Sequence, residues 1–356
     1  MLQEFLENLN IKQKKIAVGV SGGADSLGAV LMCAEELKQL GYQIIALTVD
    51  HKLRPTSSKE AAFVHQIMRQ NNIEHFTLVW QGEKPQTGIE EAARAARYDL
   101  LENWCQKNGI QYLITAHHLC DQAETFFMRL LRGSGLDGLC GMKEISPYKS
   151  LFILRPFLKT HPETFKAFLT ARHIHWIEDE SNSDEKLLRV KMRKFLPILE
   201  EKTGITVLKI ANTMERLQTS RTYFEHKIDS LIANNFKSFK NKAFSCPLAF
   251  FLSLQTELQY RLLAYLLKKV AKTPYQPESE KIFFLMSKLK RPDFKSATLN
   301  HCKIKSTGGF LWIVPENVLK PANAQKCWKT YLERHPNYKK HKIPFEVKYI
   351  LLERED

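Results

Sequence analysis

No Cys-x-x-Cys pair occurs among the seven cysteines, at positions 33, 105, 120, 140, 246, 302 and 327. The odd count excludes a fully paired disulfide framework, and the missing pair removes the usual cradle for zinc or an iron–sulfur cluster, so reduced thiols are expected. A run of about 18 apolar residues is also missing, which argues against a membrane partner. The opening Met1-Leu2-Gln3-Glu4-Phe5 lacks the basic, apolar, small-residue order of a secretory signal, so the expected location is the cytoplasm. No internal repeat is found. Neither Gly-x-x-x-x-Gly-Lys-Ser/Thr nor Gly-x-Gly-x-x-Gly is present, which sets aside P-loop NTPases and dinucleotide-binding Rossmann domains. Acidic residues are scarce in the rear of the chain: residues 1–200 hold 25 basic and 24 acidic residues, whereas 201–356 hold 28 and 14. Nearly all of the +15 net charge therefore lies in the C-terminal part. A neutral front beside a basic rear suggests one region for chemistry and another for a polyanion, although a lysine-rich soluble surface accounts for charge alone equally well.

What is present is 356 residues of ordinary composition, 44% hydrophobic and 26% charged, enough for two domains with cores of their own. The front half alternates short β-rich runs with helical patterns. Ile16-Ala17-Val18-Gly19-Val20 reads as a buried strand, and Leu27, Val30, Leu31, Ala34, Leu37 and Leu40 follow at helical spacing. Ile44 to Val49, His75 to Trp80, Tyr112 to Thr115 and Leu151 to Leu154 read as further strands. Between them lie helical patterns, one of which should open on a capping box at Ser57-Ser58-Lys59-Glu60. The alternation predicts an α/β fold, a doubly wound parallel sheet, followed by a mainly helical second domain. In that second domain Val207 to Ile232 and Thr256 to Val270 are long helical patterns, and Gly308-Gly309 turns a hairpin within the β-rich stretch Ala297 to Val314. The last forty residues, with Lys339-Lys340-His341-Lys342, give no definite fold.

The sharpest local signal is Ser21-Gly22-Gly23-Ala24-Asp25-Ser26, lying between a buried strand and the next helix. Two glycines let backbone N–H groups approach phosphate oxygens, and the helix N-terminus adds partial positive charge. Asp25 would repel bare phosphate, so its presence there points to a bridging divalent ion, with magnesium expected. A plain N-cap loop with turn glycines is the bland alternative. The motif resembles the Ser-Gly-Gly-x-Asp-Ser loop of the ATP pyrophosphatase, or PP-loop, family, whose members cleave ATP to AMP and pyrophosphate.

Further segments narrow the resemblance to the tRNA(Ile)-lysidine synthetase family. Val49-Asp50-His51-Lys52-Leu53-Arg54 resembles that family's Val-Asp-His-x-Leu-Arg, which implies Val49 beside the adenine and Asp50, His51 and Arg54 facing the cleft. Glu90, Arg94 and Arg97 share one helix face. A salt-bridged solvent face is the bland reading; with Tyr98 they resemble Glu-x-x-x-Arg-x-x-Arg-Tyr, implying arginines on ATP phosphates or tRNA. The most specific stretch is Thr115-Ala116-His117-His118-Leu119-Cys120-Asp121-Gln122-Ala123-Glu124-Thr125, running on to Arg129 and Arg132. Many relatives carry Asp-Asp where this chain has Cys120-Asp121. Arg155-Pro156-Phe157-Leu158, Asp179-Glu180-Ser181-Asn182 and Arg189 to Arg193 resemble further family segments, with Val190 in place of an expected asparagine.

The resemblance implies an adenine nucleotide alpha hydrolase type of domain over 1–204, a basic helical tRNA-recognition domain over 205–316 and a basic tail over 317–356. It implies ATP and L-lysine as substrates with Mg2+, acting on the wobble cytidine of a tRNA(Ile) whose anticodon is CAU; a homodimer is left open. ATP would be held by Ser21, Gly22, Gly23, Ala24, Asp25, Ser26, Val49, Arg94 and Arg97. Lysine or tRNA would meet Asp50, His51, Arg54, Glu124, Arg129, Arg132, Arg189 and Arg193. Asp25 and Asp121 are the expected metal ligands, and Asp121 the expected general base, with His118 as the second choice. The rival enzyme reading is a PP-loop tRNA thiolase or another adenylating tRNA-modifying enzyme; the non-enzymatic rival is an RNA-binding scaffold.

Overall fold

The computed structural model describes residues 1–178, 187–240, 242–273, 276–318, 324–334 and 343–352. The chain forms two compact units, Met1–Thr219 and Ser220–Asp356. The sequence reading set the division at 204/205. It falls later because Ile210 and Met214, at the start of a long helix, pack with Ala123 and Leu196 of the first unit. The Asp179 to Asn182 motif and the Lys339 to Lys342 run lie outside the described residues.

In the first unit, helix α1 (Leu2–Asn8) precedes strand β1 (Lys15–Gly19), α2 (Ala24–Lys38), β2 (Gln43–Asp50), α3 (Ser57–Gln70) and β3 (Glu74–Val79). Then come α4 (Ile89–Lys107), β4 (Tyr112–Ile114), α5 (Leu119–Leu131), α6 (Leu136–Leu139), β5 (Ile145–Tyr148), β6 (Leu151–Leu154), α7 (Pro162–Thr170), α8 (Leu188–Thr203) and the start of α9 (Val207–Asn235). The sheet runs β3-β2-β1-β4-β6-β5, parallel except for β5, which pairs antiparallel with β6. β5 carries Pro147 and sits at the edge, where a missing N–H costs no ladder bond.

Strand alternation divides the core into two layers. Ile16 and Val18 of β1 face Leu27, Val30, Val64 and Phe165, whereas Ala17 faces Leu101, Cys105 and Leu113 with the α4 side. Each fully buried leucine, isoleucine or phenylalanine stabilises by roughly 1.5–3 kcal/mol, so both sheet faces are covered. Helices α2 and α7 pack especially closely: a Cβ on Gly28 would lie 2.7 Å from the Phe165 Cβ. The expected capping box at Ser57 does not form, and no side chain caps α3. Thr56 is the N-cap of α3, and its hydroxyl donates to Glu60 Oε1 at 2.9 Å.

The chain adds β2 and β3 on one side of β1, then crosses to β4 on the other. The resulting topological switch leaves a crevice beyond the carboxyl ends of β1 and β4, where open α/β sheets bind ligands.

The two helices the sequence predicts are found as α9 and, in the second unit, α11 (Thr256–Ala271); that unit also holds the short α10 (Leu248–Ser253) and α12 (Ser279–Leu289). It also holds an antiparallel sheet ordered β7-β8-β11-β10-β9, from β7 (Lys237–Phe239), β8 (Ala243–Pro247), β9 (Ser296–Leu299), β10 (Cys302–Thr307) and β11 (Phe310–Pro315). The expected hairpin is β10–β11. One sheet face packs on α11 and α12, through Leu263, Leu267, Ile282 and Met286 against Ile304 and Ile313. The segment left without a definite fold supplies α13 (Ala324–Arg334) and α14 (Phe345–Leu352). α14 covers the other sheet face, through Val347 and Ile350 against Phe239, Trp312 and Val314. No described helix is long and apolar enough to cross a membrane.

Candidate active site

The loop after β1 is shaped by its glycines and serines. Gly22 adopts φ +93°, which L side chains disfavour, and a Cβ there would stand 3.0 Å from Ile177 and 3.2 Å from Val64. The Ser21 N–H donates to Ser26 Oγ at 3.0 Å, and the Ser26 hydroxyl donates to the Gly23 carbonyl at 3.1 Å. Gly23 is the N-cap of α2 and no side chain caps the helix, so its first-turn N–H groups are open to an anion. Residues 21–26 thus form a glycine-shaped turn that leads into an uncapped helix start.

A second helix start meets this loop from β4. His118 is the N-cap of α5, and its N–H donates to Asp121 Oδ2 at 3.0 Å. His118 Nε2 lies 3.4 Å from Asp25 Oδ2 and 3.5 Å from Asp121 Oδ2, so one buried imidazole sits between the carboxylates of both helices. Burial opposes charge on that ring, but hydrogen bonds to Asp25 and Cys120 and the charges of Asp121 and Asp25 overcome it, raising its pKa to about 10. The two carboxylates thus favour the protonated form of the His118 ring. Burial likewise works against ionised Asp121, yet His118 and Arg189 hold its pKa below the usual carboxylate range.

Helix α8 closes this network. Arg189 Nε donates to Glu124 Oε2 at 2.7 Å and Arg193 Nε to Glu124 Oε1 at 2.9 Å, while Arg189 Nη2 reaches Asp121 Oδ1 at 3.2 Å. Glu124 is fully buried between these two arginines. Val190, between them, is buried, so the position where an asparagine was expected packs here as an apolar residue.

Arg94 and Arg97 flank the Tyr98 ring at 5.2 and 5.4 Å, and neither has a carboxylate partner among the described residues. The salt-bridged reading of that helix face therefore does not hold. Burial first, and then the charges of Arg94 and Arg189, weaken the hold of Arg97 on its proton, with Tyr98 opposing. His51 leans edge-on against Trp80, 5.9 Å between centroids, and burial followed by the charge of Arg97 lowers its pKa.

Other expected site residues turn elsewhere. Asp50 is buried and spends its carboxylate on its own loop, accepting from the Lys52 N–H at 2.9 Å and the Ser58 hydroxyl at 3.0 Å, with the Lys52 ammonium at 3.1 Å. Burial works against the charge, but these bonds pull its pKa down to about 2. Arg54 pairs with Glu60 at 3.7 Å. Arg129 donates to the carbonyls of Gly138 and Gly141 at 2.6 and 3.1 Å and braces the turn around α6. Arg132 is exposed beyond the end of α5, and Val49 stays in β2 against the α4 layer. Asp50 and Arg54 thus have partners in their own loop and in α3, and Arg129 has a structural contact.

Two residues quoted only as parts of motifs join the site. Arg155, after β6, is buried with Nη1 bonded to the Lys143 carbonyl and the Ser146 hydroxyl, both at 2.9 Å, and its Nε is without a partner. His117 Nδ1 meets the Thr115 hydroxyl at 2.8 Å. Its pKa falls to about 3 through burial and the charges of Arg155, Arg189 and Arg94, with Asp121 opposing, so His117 is neutral beside three guanidinium groups. Only the ends of different strands bring these side chains together, which spacing along the chain does not reveal.

Asp25 is the carboxylate most available to a divalent cation, at 43% side-chain exposure. Both Asp121 oxygens are already engaged, and no group of three or more His, Cys, Asp or Glu among the described residues could hold a metal by itself. This donor set fits magnesium, which commonly takes one or two carboxylates and completes its shell with phosphate oxygens and water.

Residues 1–199 match the model of the PP-loop domain family. The chain is 33% identical to a tRNA(Ile)-lysidine synthase of Wolbachia pipientis wMel over 327 residues, 89% of this chain and 74% of that protein. A tRNA(Ile)-lysidine synthase of Wolbachia sp. subsp. Brugia malayi is 32% identical over 345 residues, 92% of this chain and 78% of that protein. Among solved structures, the U34-tRNA thiolase NcsA from Methanococcus maripaludis, with its [4Fe-4S] cluster, covers 60% of this chain and 76% of its own at a TM-score of 0.52. At 18% identity that likeness speaks to the fold alone. With the phosphate loop, the His118-centred network and relatives matched over most of their length, the chain belongs to the PP-loop domain family and, within it, to the tRNA(Ile)-lysidine synthases.

Proposed function

We propose that this protein attaches L-lysine to the wobble cytidine of a tRNA(Ile) with anticodon CAU, consuming ATP and releasing AMP and pyrophosphate. The observation that carries the reading is the meeting of the open phosphate loop with Asp25, His118 and Asp121 at the β1–β4 switch, beside arginines that no carboxylate among the described residues neutralises. Oxygen 2 of cytosine is a poor leaving group. Its attack on the α-phosphate of ATP makes it part of an adenylate and expels pyrophosphate, after which an amine can displace AMP at carbon 2. The loop N–H groups of residues 21–26 orient the phosphates, and Arg94, Arg97 and Arg155 stabilise the charge that grows on them. Asp25 would hold magnesium, which supplies charge neutralisation on the pyrophosphate.

The lysine ε-ammonium must lose a proton before it attacks. Asp121 is the acceptor we assign, with His118 and Arg189 fixing its orientation, and His118 is the second choice. Neutral His117 presents its other ring nitrogen as a hydrogen-bond acceptor for an amine or amide on the substrate. The basic second unit, together with the C-terminal segments folded onto it, holds the tRNA through its phosphates. A thiolase would call for converging cysteines at the cleft, whereas five of the six described cysteines are buried.

Incubation with ATP, labelled lysine and the tRNA transcript tests the reading directly. Label should enter the RNA with the wild-type chain and not with Asp25→Ala. Pyrophosphate release dependent on tRNA, but no lysine incorporated, would point to another adenylating enzyme.

A further inference from the structure

Helix α12 obeys amphipathic logic on one side only. Ile282, Leu285, Met286 and Leu289 are buried, which accounts for its packing. The opposite arc should be polar, yet Phe283 is 47% and Phe284 60% exposed. Tyr260 of α11 stacks on Phe283 with centroids 5.1 Å apart and planes at 17°, and its hydroxyl meets Ser279 Oγ at 2.8 Å. Lys288 Nζ stands 4.4 Å from the centre of the Phe284 ring. Among the described residues, none of these contacts buries either ring.

The surrounding charge narrows what could cover them. Lys272, Lys281, Lys288, Lys290 and Arg291 outnumber Glu278 and Glu280, and Glu278 is tied to Lys281 at 3.1 Å. A second copy of the chain would bring these like charges together, which costs rather than stabilises. A polyanion with flat apolar faces satisfies both features. Nucleic acid is such a partner, and only its unpaired nucleotides offer their base faces. We propose that the Phe283–Phe284 face of α12 is a stacking platform for unpaired nucleotides of the substrate tRNA, with Lys288 pairing to an adjacent phosphate. The inference rests on the reading of this chain as a tRNA-modifying enzyme and gives the second unit a definite point of contact.

The test uses the full chain with Phe283→Ala, Phe284→Ala and Phe284→Trp. Both rings are exposed, so circular dichroism and the thermal midpoint should stay near wild type. Binding is measured with the tRNA transcript and with a short unstructured RNA. Phe284→Ala should weaken binding to both about tenfold and raise KM for tRNA correspondingly, whereas Phe284→Trp, which keeps a stacking surface, should restore both. Alanine variants that bind both RNAs as tightly as wild type would overturn the proposal. So would a wild-type dimer that Phe284→Ala converts to monomer with RNA affinity unchanged, because the face would then join two copies of the chain. Should the wild type incorporate no lysine yet lose RNA affinity with these substitutions, the platform stands and the proposed reaction falls.

Discussion

Each unit buries a carboxylate between two cations, and the two arrangements differ in what surrounds them. In the first, Glu124 takes one Nε–H from Arg189 and another from Arg193, and Arg189 continues to Asp121, which touches His118 and through it Asp25. In the second, Glu346 receives both of its short contacts from one ammonium, Lys305 at 2.6 and 2.9 Å, with Lys303 at 3.5 Å. That second cluster fastens α14 to β10 and leads to no open cradle. The planar arginine forks relay orientation from a buried anchor to an exposed carboxylate, whereas the point-like lysines hold charge in place. Buried charge alone therefore does not identify an active site; its continuation to an accessible group does.

Substitutions should separate the two roles. Asp25→Asn removes the exposed end of the relay, and we expect lysine incorporation to fall by about 10³-fold or more while the thermal midpoint barely moves. If activity survived, the relay would have no functional end and the contrast would collapse. Glu124→Gln leaves Arg189 and Arg193 without their buried counter-charge. A stability loss of about 3–5 kcal/mol in urea titrations is expected, with activity lost as well, because Asp121 loses its oriented partner. Glu346→Gln should cost less, about 2 kcal/mol, since Lys305 can extend toward water. Hydrogen exchange should place that loss in α14, β10 and β11, with the amides of α5 still protected.

The smallest effect lies outside both networks. Burial first, then the charge of His65, lowers the His75 pKa to about 4, and its Nε2 meets the Thr48 hydroxyl at 2.9 Å. The folded state therefore binds this proton less readily than the unfolded chain, whose histidines titrate near ~6.5. Its contribution is fully present above the unfolded pKa and is lost as pH falls toward about 4. Denaturant midpoints of His75→Gln should decline less steeply than wild type over that window; parallel curves would remove His75 from the account of acid sensitivity.

The first unit was legible where its elements repeat a strong pattern. Ile16 to Val20 and Ile44 to Val49 are apolar enough to be strands on sight, and the glycines between β1 and α2 announce a phosphate cradle. The edge strand β5 was not legible, because Pro147 breaks its pattern, and neither was β7, of three residues, or β8, which ends on Pro247. In the site, the motifs located Asp25, His118, Asp121 and Glu124 on the correct elements. They could not show that Asp50 folds back onto Lys52 and Ser58, or that Arg129 bonds carbonyls, since neither outcome leaves a mark on residue spacing. Arg155 and His117 become neighbours only through the crossover that sets β4 beside β6.

The close approach of α2 to α7 makes the enzyme adjustable from behind. A methyl group added at Gly28 would act as a wedge against Phe165, and a tilt of α2 would relieve it. Turnover could thus be retuned at a residue hidden from every substrate, by shifting the angle at which the amides are presented while leaving their identity untouched.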